Sequence, residues 1–310
     1  MFLVSGVKMA IKFSVEAFKR LRKVDFRVLN AIERGMAQYL YVPVREISRL
    51  SGLDEELVEK RLKALNSLGL VQRRRGAHTG YILTSRGYDC LALNTFVKRG
   101  VLESISAAPL GVGKEADVYV GLTPGGVKVA VKFHRAGRTS FRGVRIKRVY
   151  VGDREHLSWL YLSRLAAKTE YEALHILFPA KVRVPKPIDW NRHVVVTSYV
   201  EGVELSEAPP LDNPRSVMDR ILEEMEKAYK AGVVHGDLSE YNVLIDAEED
   251  PVIFDWPQWV SPAHPSAPFL LRRDVENILK FFKRKYHLSL NPTVMAEEIC
   301  RKITGGGGGY

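Results

Sequence analysis

Cysteine is nearly absent from this chain: of 310 residues only Cys90 and Cys300 carry a thiol. Neither has a second cysteine or a histidine at metal-ligand spacing. That excludes a disulfide scaffold and a zinc-finger framework, and leaves buried free thiols as the expectation. Long apolar runs are missing too. Nothing approaches the roughly eighteen consecutive apolar residues that a membrane-spanning helix needs. The opening stretch is broken by Lys8 and Lys12 and is too short and too charged for a secretory leader. A cytoplasmic protein with no membrane partner is expected. No repeat period is visible, and Gly305 to Gly309 read as a flexible tail over 305–310.

Acidic charge is scarce in the front of the chain. Residues 1–100 carry 19 basic and 9 acidic side chains, 101–168 carry 12 and 5, and 169–310 carry 16 and 22. These segments hold +10, +7 and −6 of an overall +11, a distribution suited to a polyanion on one side of the molecule. With 46% hydrophobic and 27% charged residues the chain is otherwise ordinary for a globular protein. Its length suits two or three domains, each with a core.

Helical spacing and turn residues organise the first hundred residues. Ser14 is placed to cap a helix running to about Gly35, with Val15, Phe18, Leu21, Val24, Val28, Leu29 and Ile32 on its apolar side. Pro43 to Leu50 predicts a short helix closed at Gly52, and Asp54 to Leu68 a third helix stopping at Gly69. Leu70 to Leu83 then reads as a hairpin with a basic, glycine-containing tip. Three helices and a hairpin make a winged helix, expected over 1–94. Such a module can set its third helix in a nucleic-acid groove or dock on protein. The density of Arg73, Arg74 and Arg75 favours phosphate contacts.

The chemistry lies further on. His235-Gly-Asp-Leu-Ser-Glu-Tyr-Asn242 is followed thirteen residues later by Asp255. Phosphoryl transfer needs a carboxylate to orient or deprotonate the acceptor, and an amide oxygen and a second carboxylate to hold magnesium. Asp237, Asn242 and Asp255 supply that set in that order. Val243–Ile245 and Val252–Phe254 read as two short strands presenting Asn242 and Asp255 on one edge, with Leu238 and Tyr241 anchoring the loop in the core. Upstream, Leu110 to Val120 predicts strand, glycine turn, strand, with Gly111 and Gly113 in the turn and Ala116 where a third glycine usually falls. Val127-Lys-Val-Ala-Val-Lys-Phe133 is a further strand placing Lys132 for the α/β-phosphates. A helix over 159–177, with Leu162, Leu165, Ala166, Tyr171, Leu174 and Leu177 apolar, offers Glu170 or Glu172 as partner for Lys132. Glu170 is preferred for its spacing to Ala173-Leu174, and Glu172 suits a solvated carboxylate.

These segments, with Val131-Lys-Phe-His-Arg-Ala-Gly-Arg-Thr-Ser-Phe-Arg142, Val184-Pro-Lys-Pro-Ile188 and Asp255-Trp-Pro-Gln258, resemble the RIO-type atypical serine/threonine protein kinases. The likeness is to the type 2 branch, which carries an N-terminal winged helix. It implies an α+β chain: the winged helix, then a trimmed bilobal kinase-like domain over 95–304, with an N-lobe at about 101–198 and a C-lobe at about 203–304. It further implies ATP and Mg2+ as cofactors, with Mn2+ an admissible substitute. Gly111, Gly113, Lys114, Lys132, Glu170, Tyr199 and Val200 would bind ATP, with Asp237, Asp255 and Lys132 catalytic and Asn242 and Asp255 on metal. The basic segment Arg135 to Tyr150, read as a mobile loop, corresponds to the family's autophosphorylated loop, and Ser140 is the candidate there. The partner implied is the small ribosomal subunit precursor with its rRNA; no obligate protein partner is evident.

An A-P-E segment and a long activation loop are missing, and the expected C-lobe has no helical platform for peptides. The chemistry implied is therefore ATP hydrolysis and autophosphorylation in small-subunit maturation, with a phosphoaspartate at Asp255 as an added implication of the family. Asp274 is placed either to brace the catalytic loop or to form a surface ion pair. Two rival classes remain. A small-molecule phosphotransferase of the aminoglycoside or choline kinase type leaves the winged helix unexplained. A DNA-binding factor with a dead kinase half conflicts with intact Lys132, Asp237, Asn242 and Asp255.

Overall fold

The computed structural model describes residues 16–74, 79–113, 115–135 and 155–305. The chain divides into two compact units, one formed by residues up to Leu165 with Asp189–Val194, the other by Ala166–Ile188 with the residues from Val195 on.

The first unit begins with a winged helix. Helices α1 (Lys23–Gly35), α2 (Val44–Ser51) and α3 (Glu55–Ser67) pack with strands β1 (Val42–Pro43), β2 (Val71–Arg74) and β3 (Gly80–Leu83), antiparallel in the order β1-β3-β2. Gly52 closes α2 at φ +63, where a side chain would be strained. Asp54 starts α3 by accepting the Leu57 N–H at 2.8 Å. The helix expected unbroken from Ser14 to Gly35 is interrupted. Residues 16–20 are helical, Leu21 and Arg22 leave the helix, and α1 then begins; Ser14 lies outside the described residues. The cause is Asp25, fully buried. Its carboxylate takes the Arg22 N–H at 2.8 Å and both arms of Arg61 from α3 at 2.6 and 2.7 Å. A continuous helix would commit the Arg22 N–H to the carbonyl four residues back and leave a buried charge short of a donor.

Helix α4 (Ser85–Lys98) follows, capped by Thr84. It runs through residue 94, where the domain boundary was expected, and adds Tyr88, Cys90 and Leu91 to the winged-helix core. Its Asp89 also leaves that core. Arg135, just beyond strand β7 (Lys128–His134), donates to both Asp89 oxygens at 2.6 and 3.0 Å and to Asp117 of strand β6 (Ala116–Leu122) at 3.1 Å. His193 Nε2 stands 2.8 Å from the same Asp89 Oδ1, and its ring stacks on Tyr88. All four polar residues are buried, so a charged cluster ties the winged helix to β6 and β7.

Strands β4 (Ser104–Ile105), β6, β7, β9 (Val194–Ser198) and β8 (Pro187–Asn191) form a sheet in the order β4-β6-β7-β9-β8, with β5 (Gly111–Val112) pairing β6. Helix α5 (Glu155–Leu177) turns Leu174 and Leu177 inward as expected, but the rest of its inward stripe is displaced from the expected one. Leu160, Ser163, Ala167, Glu170, Ala173, Leu174 and Leu177 are buried, while Leu165 is exposed. The inward stripe contains two polar residues, so a purely apolar reading shifts it sideways.

The second unit holds a small antiparallel sheet, β10 (Val203–Glu204), β11 (Val243–Ile245) and β12 (Pro251–Ile253), in that order, with helices α6 (Pro214–Lys230), α7 (Ala267–Tyr286) and α8 (Pro292–Ile303). Met218, Ile221, Leu238, Trp256, Ile278 and Phe282 fill its core. Asp255 is followed by α7 with no helix between. Both cysteines are free, Cys90 buried and Cys300 only partly so. Burial pushes the Cys90 thiol far up and the Cys300 thiol up to about 11, so neither is a ready nucleophile. Among the described residues no helix is long and apolar enough to cross a membrane.

Candidate active site

In the first unit, β5 and β6 flank the glycine turn: Gly113 N–H donates to the Ala116 carbonyl at 2.8 Å, closing it. Ala116 opens β6. Lys132 sits on β7 opposite Val118, and Lys114 lies outside the described residues. In the second unit, Glu170 is buried on α5. Glu172 is half exposed and pairs with Lys168 at 3.4 Å, matching the solvated carboxylate expected of it. Tyr199 and Val200 follow β9.

The candidate catalytic loop is built by main-chain satisfaction. Asp274 of α7, with no exposed surface, accepts the Gly236 N–H at 2.7 Å and the Leu238 N–H at 3.0 Å. Asn277, three residues on and so on the same helix face, donates to the Leu238 carbonyl at 3.0 Å. Asp274 is thus a brace and not a surface ion pair. Burial pushes its carboxyl up to about 7 against the pull of the two N–H donors. Gly236 has φ +80, and a Cβ there would lie 2.8 Å from the Gln258 carbonyl oxygen, so only glycine lets the two segments approach. Leu238 is fully buried as expected, but Tyr241 is 62% exposed. The reason is the single 3-10 turn Glu240–Asn242, which points Tyr241 outward while Leu238 faces the core.

Past that turn, β11 and β12 pair with Val243 opposite Ile253. The Phe254 N–H donates to the Asn242 carbonyl at 2.9 Å, which sets Asn242 beside the residue preceding Asp255. Asp255 itself has φ +69, a left-handed conformation uncommon for aspartate. Such strain persists where surrounding contacts over-determine it, and functional sites are where it clusters. Buried Trp256 supplies that constraint through an indole N–H to the Ile253 carbonyl at 3.2 Å. Among the described residues no three His, Cys, Asp or Glu side chains converge on a cation. An amide oxygen and one carboxylate suit Mg2+, which keeps water and substrate phosphate oxygens for most of its shell. Asn242 Oδ1 is engaged by the Ser239 N–H at 3.1 Å and hydroxyl at 3.0 Å. Rotation of that hydroxyl would open one lone pair.

Two residues without an assigned role in the sequence reach Asp237. Gln258 Nε2 donates to its Oδ2 at 3.4 Å, and Arg273 lies 3.6 Å from its Oδ1. Arg273 precedes Asp274 on α7, but nothing in its spacing marked it. At the wing, Arg73 and Arg74 are exposed on β2, with the Arg74 guanidinium 5.3 Å over the Tyr41 ring. Arg75 and Ser140 lie outside the described residues.

Residues 117–295 match the RIO domain family model, and residues 18–99 match the Rio2 N-terminal family model. The chain belongs to the RIO kinase family, in its Rio2 branch. It is 45% identical over 254 residues to a RIO-type serine/threonine-protein kinase Rio2 of Methanocaldococcus jannaschii, covering 80% of this chain and 92% of that protein. It is 39% identical to the serine/threonine-protein kinase RIO2 of Caenorhabditis elegans over 94% of this chain, which spans about half (55%) of that longer relative. A crystal structure from Chaetomium thermophilum, a Rio2 kinase in an ADP/Mg2+-phosphoaspartate complex, superposes with a TM-score of 0.80 at 33% identity, covering 94% of this chain and 93% of that one. The enzyme class of this Rio2-branch chain is therefore that of serine/threonine-protein kinases.

Proposed function

We propose that this kinase hydrolyses ATP and phosphorylates itself while bound to the small ribosomal subunit precursor, rather than phosphorylating generic peptides. The observation that carries the reading is the loop from His235 to Asp255, whose main chain is held by Asp274, Asn277 and β11–β12 pairing, which fixes where Asp237, Asn242 and Asp255 start. Phosphoryl transfer depends almost wholly on positioning and electrostatics, which such a scaffold provides. Lys132, paired with Glu170, would orient the α/β-phosphates, with Gly111, Gly113 and Lys114 over them and Tyr199 and Val200 at the base. Asn242 and Asp255 would hold Mg2+, which when bound neutralises charge on the phosphates.

The phosphoaspartate in the Chaetomium thermophilum structure supports Asp255 as the acceptor. Its carboxylate oxygen would attack the γ-phosphorus as the β–γ bridging bond breaks and ADP leaves, giving an acyl phosphate. Water guided by Asp237 would then hydrolyse it. Ser140 is the candidate for stable autophosphorylation. The winged helix, with Arg73, Arg74 and Arg75, would dock on rRNA of the particle, and nucleotide state would control release.

The test is ATP turnover measured alone, with small-subunit particles and with generic peptides. Turnover that responds to particles, with no peptide phosphorylation, is expected. Efficient peptide phosphorylation without ATP hydrolysis would overturn the reading.

A further inference from the structure

Both oxygens of the Asp237 carboxylate have a protein group against them. Arg273 Nη2 stands 3.6 Å from Oδ1, and Gln258 Nε2 donates to Oδ2 at 3.4 Å. The same Arg273 Nη2 also donates to the Gly236 carbonyl, so one guanidinium spans the loop's main chain and its carboxylate. The main chain is already held without it: Asp274 takes the N–H groups of Gly236 and Leu238, and Asn277 takes the Leu238 carbonyl. Arg273 Nε has no hydrogen-bond partner among the described residues. What Arg273 adds is a positive charge facing Asp237, on a helix whose neighbouring residue fixes the same loop.

A carboxylate between a cation and an amide donor differs from one poised to take a proton. The cation favours the ionised form, and protonation would set an O–H against either the Gln258 amide donor or the Arg273 cation. Resting on the function proposed above, we infer that Arg273 is a positioning residue that, with Gln258, holds Asp237 as an ionised, orienting carboxylate. Asp237 then aligns the attacking water or hydroxyl by accepting its hydrogen bond, and does not remove its proton ahead of the transfer. In hydrolysis the new bond forms between the water oxygen and the phosphorus of the Asp255 acyl phosphate, and the bond from that phosphorus to the Asp255 carboxylate oxygen breaks with its electron pair returning to the carboxylate. The acceptor's proton passes to a non-bridging oxygen of the transferred phosphoryl group. No further base is required, which suits the loose transition state of this reaction, in which the attacking oxygen gains little positive charge before the leaving bond is largely broken.

The neighbouring residue supplies the control. Arg272 pairs with Glu297 of α8 at 2.7 Å and, among the described residues, has no bond to the loop. Full-length R273M, R273K, R273A and R272M proteins are compared in magnesium-dependent ATP turnover. R273M should lose about 10- to 100-fold in kcat, the range expected when a reacting group is slightly misaligned, with KM for ATP little changed. R273K should recover part of the loss, and R273A should respond to added millimolar guanidinium. R272M should match the parent. Parental kcat in R273M, an equal loss in R272M, or a loss that neither lysine nor guanidinium relieves would overturn the inference. A parent that shows no magnesium-dependent turnover would instead remove the proposed function and this inference together, so the two failures are distinguishable.

Discussion

Replacing Arg135 by Met tests how the winged helix is joined to β6 and β7. Arg135 and Asp89 are almost fully enclosed, with side-chain exposures of 4% and 1%, and Asp117 is equally buried at 2%. In R135M two carboxylates would remain in a low-dielectric site without their shared cation. Breaking a buried ion pair by removing one partner costs about 3–5 kcal/mol, most of it the penalty on the charge left behind. For a unit of this size each kcal/mol shifts the unfolding midpoint by about 2–4 °C, so a fall of about 6–20 °C is expected by calorimetry. Hydrogen exchange should rise first in α4, which carries Asp89 and whose Tyr88 stacks on His193. Adding D89N and D117N to R135M should return part of the loss, since neutral amides leave no uncompensated charge. A midpoint for R135M within about 2 °C of the parent would refute the reasoning and show that the cluster is open to water.

The same cluster sets an acid limit. Burial pushes His193 down to about 4 although Asp89 pulls the other way, and its Nδ1 has no hydrogen-bond partner among the described residues, so a proton there would go unsatisfied. The unfolded chain takes up that proton below about pH 6.5. Stability should therefore be present above this value and fall as pH drops from about 6.5 to 4, by at most about 3 kcal/mol; urea midpoints that do not change across that window would contradict it. Asp255→Ala should abolish magnesium-dependent nucleotide binding, and Asp237→Asn should bind ATP yet turn it over at least about 100-fold more slowly; calorimetric titration and single-turnover kinetics check both, and normal turnover in either variant would remove those roles. Replacing Arg73, Arg74 and Arg75 by Ala should flatten the salt dependence of binding to small-subunit particles by roughly 0.7–0.9 log units per lost phosphate contact. An unaltered slope would move the docking surface to ribosomal protein.

The winged helix was legible because its signals are local: Gly52 and Gly69 as stops, Asp54 as a cap, and a hairpin with a glycine-containing tip all act within a few positions. The glycine turn, the Lys132 strand and the short strands flanking Asn242 and Asp255 were legible for the same reason. What escaped depends on contacts distant in sequence. The break at Leu21 and Arg22 follows from Arg61 reaching Asp25 across thirty-six residues. The inward stripe of α5 was displaced because Ser163 and Glu170 are buried polar residues, which an apolar count places outside. Tyr241 looked like a core anchor by its aromatic character, but a 3-10 turn of three residues sets its direction. Asp274 had two readings until its burial and two N–H bonds were visible. Arg273 carried no signal at all, since an arginine beside another arginine on a helix ordinarily lies on a solvated face.

The central claim is that Asp255 and Asp237 form a phosphoryl-transfer centre working on MgATP. Its most direct test is a single turnover with γ-labelled ATP, followed by acid quench and mapping of the labelled peptide. Hydroxylamine-labile label on Asp255 that forms and decays at rates consistent with turnover, and that decays more slowly in Asp237→Asn, is the predicted result. Turnover with no labile label on Asp255 at any time, or a label whose decay is untouched by Asp237→Asn, would contradict the account.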